Sequence, residues 1–196
     1  MVAVACPWSL KEWAVTLRAL DQGKQILLLR KGGIREKEFK VEHEEFFLYP
    51  SYEHQRQDLL KAAYHRDLED VLAGWDGNTE QVPLTHWCQV TEVFEITDPA
   101  DVEALSPFYI WTTDYAEQRL HWRPRKPLEI LLVRVHRLPE PYLQRVEPYF
   151  AGCKSWIDLP APVSVAGAVP VLSAAEFQRQ AEAIRTVLRR SSSLSR

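Results

Sequence analysis

Residues 128–138 form an extended segment that is apolar on both sides. By period two, Leu128, Ile130, Leu132, Arg134, His136 and Leu138 share one face, while Leu131, Val133 and Val135 share the other. A strand with one wet face alternates apolar with polar. A strand apolar on both faces sits centrally in a covered sheet. Arg134 is then a half-buried cation among apolar neighbours. It needs a carboxylate, with Glu53, Glu92 and Asp114 as candidates, or an anionic ligand.

The other segments build around that strand. Ser9 and Glu12 have the spacing of a capping box, ahead of a stripe of Leu10, Trp13, Ala14, Leu17 and Leu20 that Gly23 ends. Residues 25–30 predict a short strand, with Gly32 and Gly33 as its turn. Residues 38–42 predict a second strand around Phe39 and Val41, continued by residues 45–49. Residues 53–73 predict a helix. Residues 84–96 predict a long strand with Cys88, Val90, Phe94 and Ile96 on one face. Asp98-Pro99 opens a short helix, and another begins at Thr112 or Thr113. Pro139 and Pro141 end the central strand. A second capping box, Ser173 with Glu176, starts a last helix buried along Phe177, Ala181, Ile184 and Leu188. Helices and strands mix without a glycine-rich strand-to-helix turn. The expected class is α+β, a small mixed sheet or partly open barrel with flanking helices. With 196 residues, 46% of them hydrophobic, the chain suits one domain over residues 1–190, and residues 191–196 read as a loose tail.

Composition narrows function mostly by exclusion. The net charge of -3 announces no nucleic-acid binder, although it leaves room for a local basic face. Cys6, Cys88 and Cys153 are odd in number and irregularly spaced. They suggest neither a disulfide framework nor a zinc site, and they point to a reducing compartment. No apolar run is long enough to span a bilayer, and residues 2–8 lack the features of a signal sequence. The expected location is cytoplasmic. The sequence carries no signal for an oligomeric state.

Several strings resemble a known family. Leu10-Lys11-Glu12-Trp13-Ala14 is followed by Gly23-Lys24 and by Leu28-Leu29-Arg30-Lys31-Gly32-Gly33-Ile34. Further along stand Phe47-Leu48-Tyr49-Pro50, Tyr52-Glu53-His54-Gln55 and Gly152-Cys153-Lys154-Ser155-Trp156. Together they resemble the bacterial family described as domain of unknown function 1802, over residues 8–160. That family implies no activity. Gly23, Lys24 and Arg30, with the later strand, short helix and strand, are also similar to the opening of ASCH domains in the PUA-like superfamily. That similarity implies a small β-barrel associated with RNA or nucleotides.

Four constellations carry candidate chemistry. Lys24, Arg30 and Lys31 stand beside two glycines whose backbone can approach an anion, without the spacing of a Walker loop. Residues 119–137 hold Arg119, Arg123, Arg125, Lys126, Arg134 and Arg137, with Trp111, Tyr115 and Trp122 in or beside them. Arginines interleaved with aromatics suit phosphate contacts and base stacking. Tyr49, Tyr52, Glu53 and His54 lie where a helix is expected to begin, and His54 has the chemistry of an acid or base. Cys153 stands next to Lys154, a cation that lowers a thiol pKa. No metal signature, nuclease pattern or Gly-x-Ser-x-Gly elbow is present, and no cofactor is expected.

The expectation is a binding module for a phosphate-bearing ligand, RNA or a nucleotide. Its ligand residues would be Lys24, Arg30, Lys31, Tyr49, Arg119, Trp122, Lys126, Arg134 and Lys154. One rival is a hydrolase or nuclease-like enzyme using His54 or Cys153 in the same cleft. The other is a protein-interaction scaffold built on exposed, clustered tryptophans.

Overall fold

A computed structural model of the chain describes residues 5–31, 39–75, 77, 80–122, 124–152 and 154–194. The elements in chain order are β1 (Ala5–Trp13), α1 (Ala14–Asp21), β2 (Leu27–Arg30), β3 (Glu45–Ser51), α2 (His65–Ala73), β4 (Gln81–Ile96), α3 (Pro99–Ala104), α4 (Thr113–His121), β5 (Leu128–Arg145), β6 (Trp156–Ser164), β7 (Val169–Pro170) and α5 (Ala174–Leu194). Among the described residues the strands make one mixed, open sheet ordered β2-β5-β4-β3-β1-β6, with β7 against β5. Only β1 and β3 pair in parallel; the other pairs are antiparallel. The class is α+β.

β5 is central, between β2 and β4, because both of its faces are apolar. Leu128, Ile130 and Leu132 pack with Ile96, Phe177, Ala181 and Ile184 beneath α5. Leu131, Val133 and Val135 pack on the other side with Leu10, Leu17, Phe46 and Cys88. Each such buried side chain stabilises the fold by about 1.5–3 kcal/mol before chain entropy is counted. The sheet also curls. Three strands separate β2 from β1 in the sheet order, yet Arg30 on β2 donates to the Lys11 carbonyl on β1 at 3.1 Å. A side chain rather than a ladder spans this seam, and a cavity opens there.

Local preference and tertiary pairing disagree at several places. The Ser9–Glu12 box caps no helix, because β1 runs through it. Ser9 Oγ donates to the Phe47 carbonyl at 2.9 Å, and Leu10 is fully buried between β3 and β6. α1 therefore starts at Ala14. It keeps the stripe of Ala14, Leu17 and Leu20 and stops at Gly23, whose φ of 66° suits glycine. A Cβ there would lie 2.5 Å from Leu172 Cδ2. Phe39 and Val41 lie in irregular chain rather than a strand, and the Trp156 indole satisfies the Lys40 carbonyl at 3.0 Å.

The helix expected from residue 53 begins only at His65. Before it come two 3-10 turns, Gln57–Leu59 and Ala62–Tyr64, because Leu60 bridges Trp111 and Thr112 N donates to the Leu59 carbonyl at 2.9 Å. In β4 a bulge between Val90 and Glu92 inserts one residue and reverses the faces. Cys88 and Val90 thus pack in one cluster, and Phe94 and Ile96 in another. Pro139 and Pro141 do not end β5. They fall in an unpaired stretch between Arg137, opposite His86, and Tyr142, opposite Leu84. α5 continues to Leu194, into the segment expected to be loose. The Asp98, Thr112 and Ser173–Glu176 caps form as expected, with Asp98 accepting from Ala100 N at 2.9 Å.

Candidate functional site

The parallel register sets the floor of the site. Lys11 pairs with Tyr49 and Trp13 with Ser51, so these four side chains share one face at the ends of β1 and β3. At the seam Arg30 comes in from β2. It donates to Glu12 Oε2 at 3.2 Å and lies 5.1 Å from the Phe39 ring centroid. α4 adds Tyr115 and Arg119, four residues apart and so on one helical face. Lys11, Trp13, Ser51, Arg30, Tyr115 and Arg119, with Glu12, Leu29 and Trp111, line a cavity of about 220 Å³.

Its wall is aromatic and its charge positive. Trp13 and Tyr115 stack with centroids 5.5 Å apart at 27°, and Trp111 follows Tyr115 at 6.2 Å. The Trp111 indole N–H is buried and has no acceptor among the described residues. Burial pushes the Tyr115 hydroxyl pKa up, against the opposing pull of Arg119. Arg119 is half-buried and has no ion-pair partner among the described residues. Glu12 is already engaged by Arg30.

A larger cavity of about 1060 Å³ adjoins the first and shares Lys11 and Ser51 with it. Lys11 Nζ is fixed at the junction. It donates to the Phe150 carbonyl and, at 3.1 Å, to the Gly152 carbonyl, and it lies 6.0 Å from the Tyr49 ring. Tyr49 is buried, which raises its hydroxyl pKa. Lys154 donates to the Tyr149 carbonyl at 3.2 Å. Tyr52 and Trp75 stack almost face to face, 5.0 Å apart at 5°. His54 also lines this cavity, at a φ of 63°. Its side chain is 86% exposed, and its contact with the Glu53 carboxylate is 4.0 Å long. No helix begins there.

The sequence candidates thus divide. Arg30 and Arg119 meet in the small cavity; Tyr49, His54 and Lys154 meet in the large one. Lys31 is buried and donates to the Lys126 carbonyl; both line a third cavity of about 490 Å³. Burial, and then the charge of Arg119, lower the Lys31 pKa. Lys24 pairs with Asp67 at 3.1 Å, away from the seam. Arg134 lies over Phe177 at 5.3 Å, and Glu92, one acid expected beside it, is held by Arg185 at 3.0 Å instead. Trp122 is exposed just past α4. Gly32, Gly33, Arg123 and Cys153 lie outside the described residues. Lys11, Trp13 and Trp75 join the site without having been singled out for it. Lys11 and Trp13 were legible only through a strand period that the apparent capping box concealed.

An α+β protein with a cationic, aromatic-walled groove at an open sheet seam is the class that these features define. The chain belongs to the family described as domain of unknown function 1802, whose model matches residues 9–183. No curated protein matches the chain. One similar solved structure is a crystal structure of a mutant ASCH protein from Zymomonas mobilis. It is 9% identical, with a TM-score of 0.42, covering 91% of this chain and 98% of that one. Among the described residues, no group of three His, Cys, Asp or Glu side chains is placed to hold a metal ion. No described helix is long and apolar enough to cross a membrane.

Proposed function

We propose that the seam cavity binds a phosphate-bearing ligand of the nucleotide class. Arg119 carries this reading. It is a half-buried guanidinium without an ion-pair partner among the described residues, beside Arg30 and Lys11. Such a group gains most from an anion that completes its charge-assisted hydrogen bonds. The Trp13–Tyr115 stack beside it offers a ring face to a base.

Less supports the two rivals. A general base needs a held geometry, and His54 is exposed with one distant acidic neighbour. Cys153, the thiol that the enzyme rival would use, lies outside the described residues. For a scaffold, exposed tryptophans should cluster. Trp87 and Trp111 are buried instead, and Trp8, Trp13 and Trp156 pack partly against the cores.

The test is titration of the protein with adenosine 5′-monophosphate, read by tryptophan fluorescence, beside native mass spectrometry of the protein as purified. Binding that R119A weakens at least about tenfold supports the site, since a hydrogen bond to a charged group is worth about 1.5–3 kcal/mol. An R119A protein that binds as tightly as the parent overturns it.

A further inference from the structure

The two cavities are unequal in chemistry, and their order along the groove is informative. Cations concentrate in the small cavity and at the junction, where Arg30, Arg119 and Lys11 meet. Each cavity carries one aromatic pair. Trp13–Tyr115 lines the small cavity, and Tyr52–Trp75 lines the large one. Lys11 and Ser51 belong to both walls, so one ligand can pass between them. Trp75 remains 37% exposed even though one of its ring faces is covered by Tyr52. The large cavity mixes charges, Glu53 and Glu147 against Lys11 and Lys154, so the feature that sets it apart from the small one is its stacked aromatic pair.

We infer that the groove binds a single-stranded oligonucleotide, with one phosphodiester on Arg119, Arg30 and Lys11 and a base in each cavity, the second stacked on the Tyr52–Trp75 pair. This inference rests on the nucleotide reading of the small cavity and adds the polymer to it. The first base uses the Trp13–Tyr115 wall. Lys11, fixed by the Phe150 and Gly152 carbonyls, meets the phosphate without having to be ordered. The volume of about 1060 Å³ in the second cavity exceeds the needs of one base and leaves room for the chain to continue.

Comparison of the dinucleoside monophosphate ApA with adenosine 5′-monophosphate tests this. ApA carries one negative charge, fewer than the mononucleotide at neutral pH, so electrostatics alone ranks it the weaker ligand. A second stacked base reverses the order, and ApA should bind about five- to a hundredfold more tightly. W75A should remove most of that gain, weakening ApA at least about fivefold more than it weakens the mononucleotide. W75F, which keeps a ring, should retain most of it, and R119A should weaken both ligands. ApA binding no tighter than the mononucleotide overturns the inference and leaves the nucleotide site standing. A W75A protein that loses both ligands equally overturns it too, because Trp75 then supports the fold rather than a base. If neither ligand binds, the nucleotide reading fails, and the inference with it.

Discussion

Arg30 on β2 and Glu12 on β1 form an ion pair at 3.2 Å with side chains only 12% and 7% exposed, across strands that share no ladder. The pair holds the seam at the width that makes the cavity. Removing one member leaves a buried charge without its partner, which costs more than the pair contributes when intact. R30A should therefore destabilise the protein by about 3 kcal/mol in urea unfolding. E12A added to R30A should recover part of that loss. Equal unfolding midpoints for R30A and the parent would show that the seam is held by other contacts.

Arg119 behaves differently because no ion pair among the described residues depends on it. R119A should cost much less stability than R30A, because among the described residues it leaves no buried carboxylate without its partner. It should instead alter how ligand binding responds to salt. Each phosphate contact to a single strand contributes about 0.7 to the slope of log affinity against log salt, so the slope for a single-stranded oligoadenylate should fall by about that amount in R119A. Titrations across a range of chloride concentrations measure it, and an unchanged slope would remove Arg119 from the phosphate.

Much of the fold was legible, and what was not shares one cause. β5 was readable as central because its two apolar faces are a property of the strand itself. The Asp98 and Ser173–Glu176 caps were readable because their partners lie within three residues. The Ser9–Glu12 box misled because parallel pairing with β3, some forty residues away along the chain, outweighed a local cap. The bulge after Val90 is likewise fixed by the partner strand and leaves no mark in β4. The same limit applied to the site. Arg119 and Arg30 were recognisable as candidate anion contacts, but Lys11 and Trp13 join them only through strand register. Arg134, equally suspicious in sequence, lies over Phe177 because α5 packs on that face.

The two described thiols should be inert. Cys88 is fully buried, and burial drives its pKa far above the ordinary thiol range; burial likewise raises Cys6, against an opposing backbone hydrogen bond at Trp8. Because the thiolate is the reactive form, native protein treated with iodoacetamide at pH 8 should stay unmodified at both positions. In urea both should alkylate. Peptide mass spectrometry distinguishes the sites, and rapid native labelling of Cys6 or Cys88 would contradict the packing around them.

The end of α1 supplies an acid-sensitive tie. His86 Nε2 donates to Asp21 Oδ1 at 2.7 Å, and Arg137 Nε donates to the same oxygen at 2.8 Å, joining α1 to β4 and β5. The other ring nitrogen, His86 Nδ1, lies 2.8 Å from Thr85 Oγ1. Burial pushes the Asp21 pKa up, but the hydrogen bonds from His86 and Arg137 outweigh it and hold the carboxyl below its ordinary value. A carboxyl depressed in the folded state adds stability that is complete above its unfolded pKa of about 3.9 and fades as pH falls through the lower folded value. With its side chain 35% exposed, Asp21 is partly screened, so D21N should cost about 1 kcal/mol at pH 7. Urea unfolding at pH 7, 4 and 3 should show that gap holding at neutrality and narrowing toward pH 3 as the parent loses what the variant never had. A gap that stays constant over this range would mean that Asp21 acts through shape and neutral hydrogen bonding, and not through its charge.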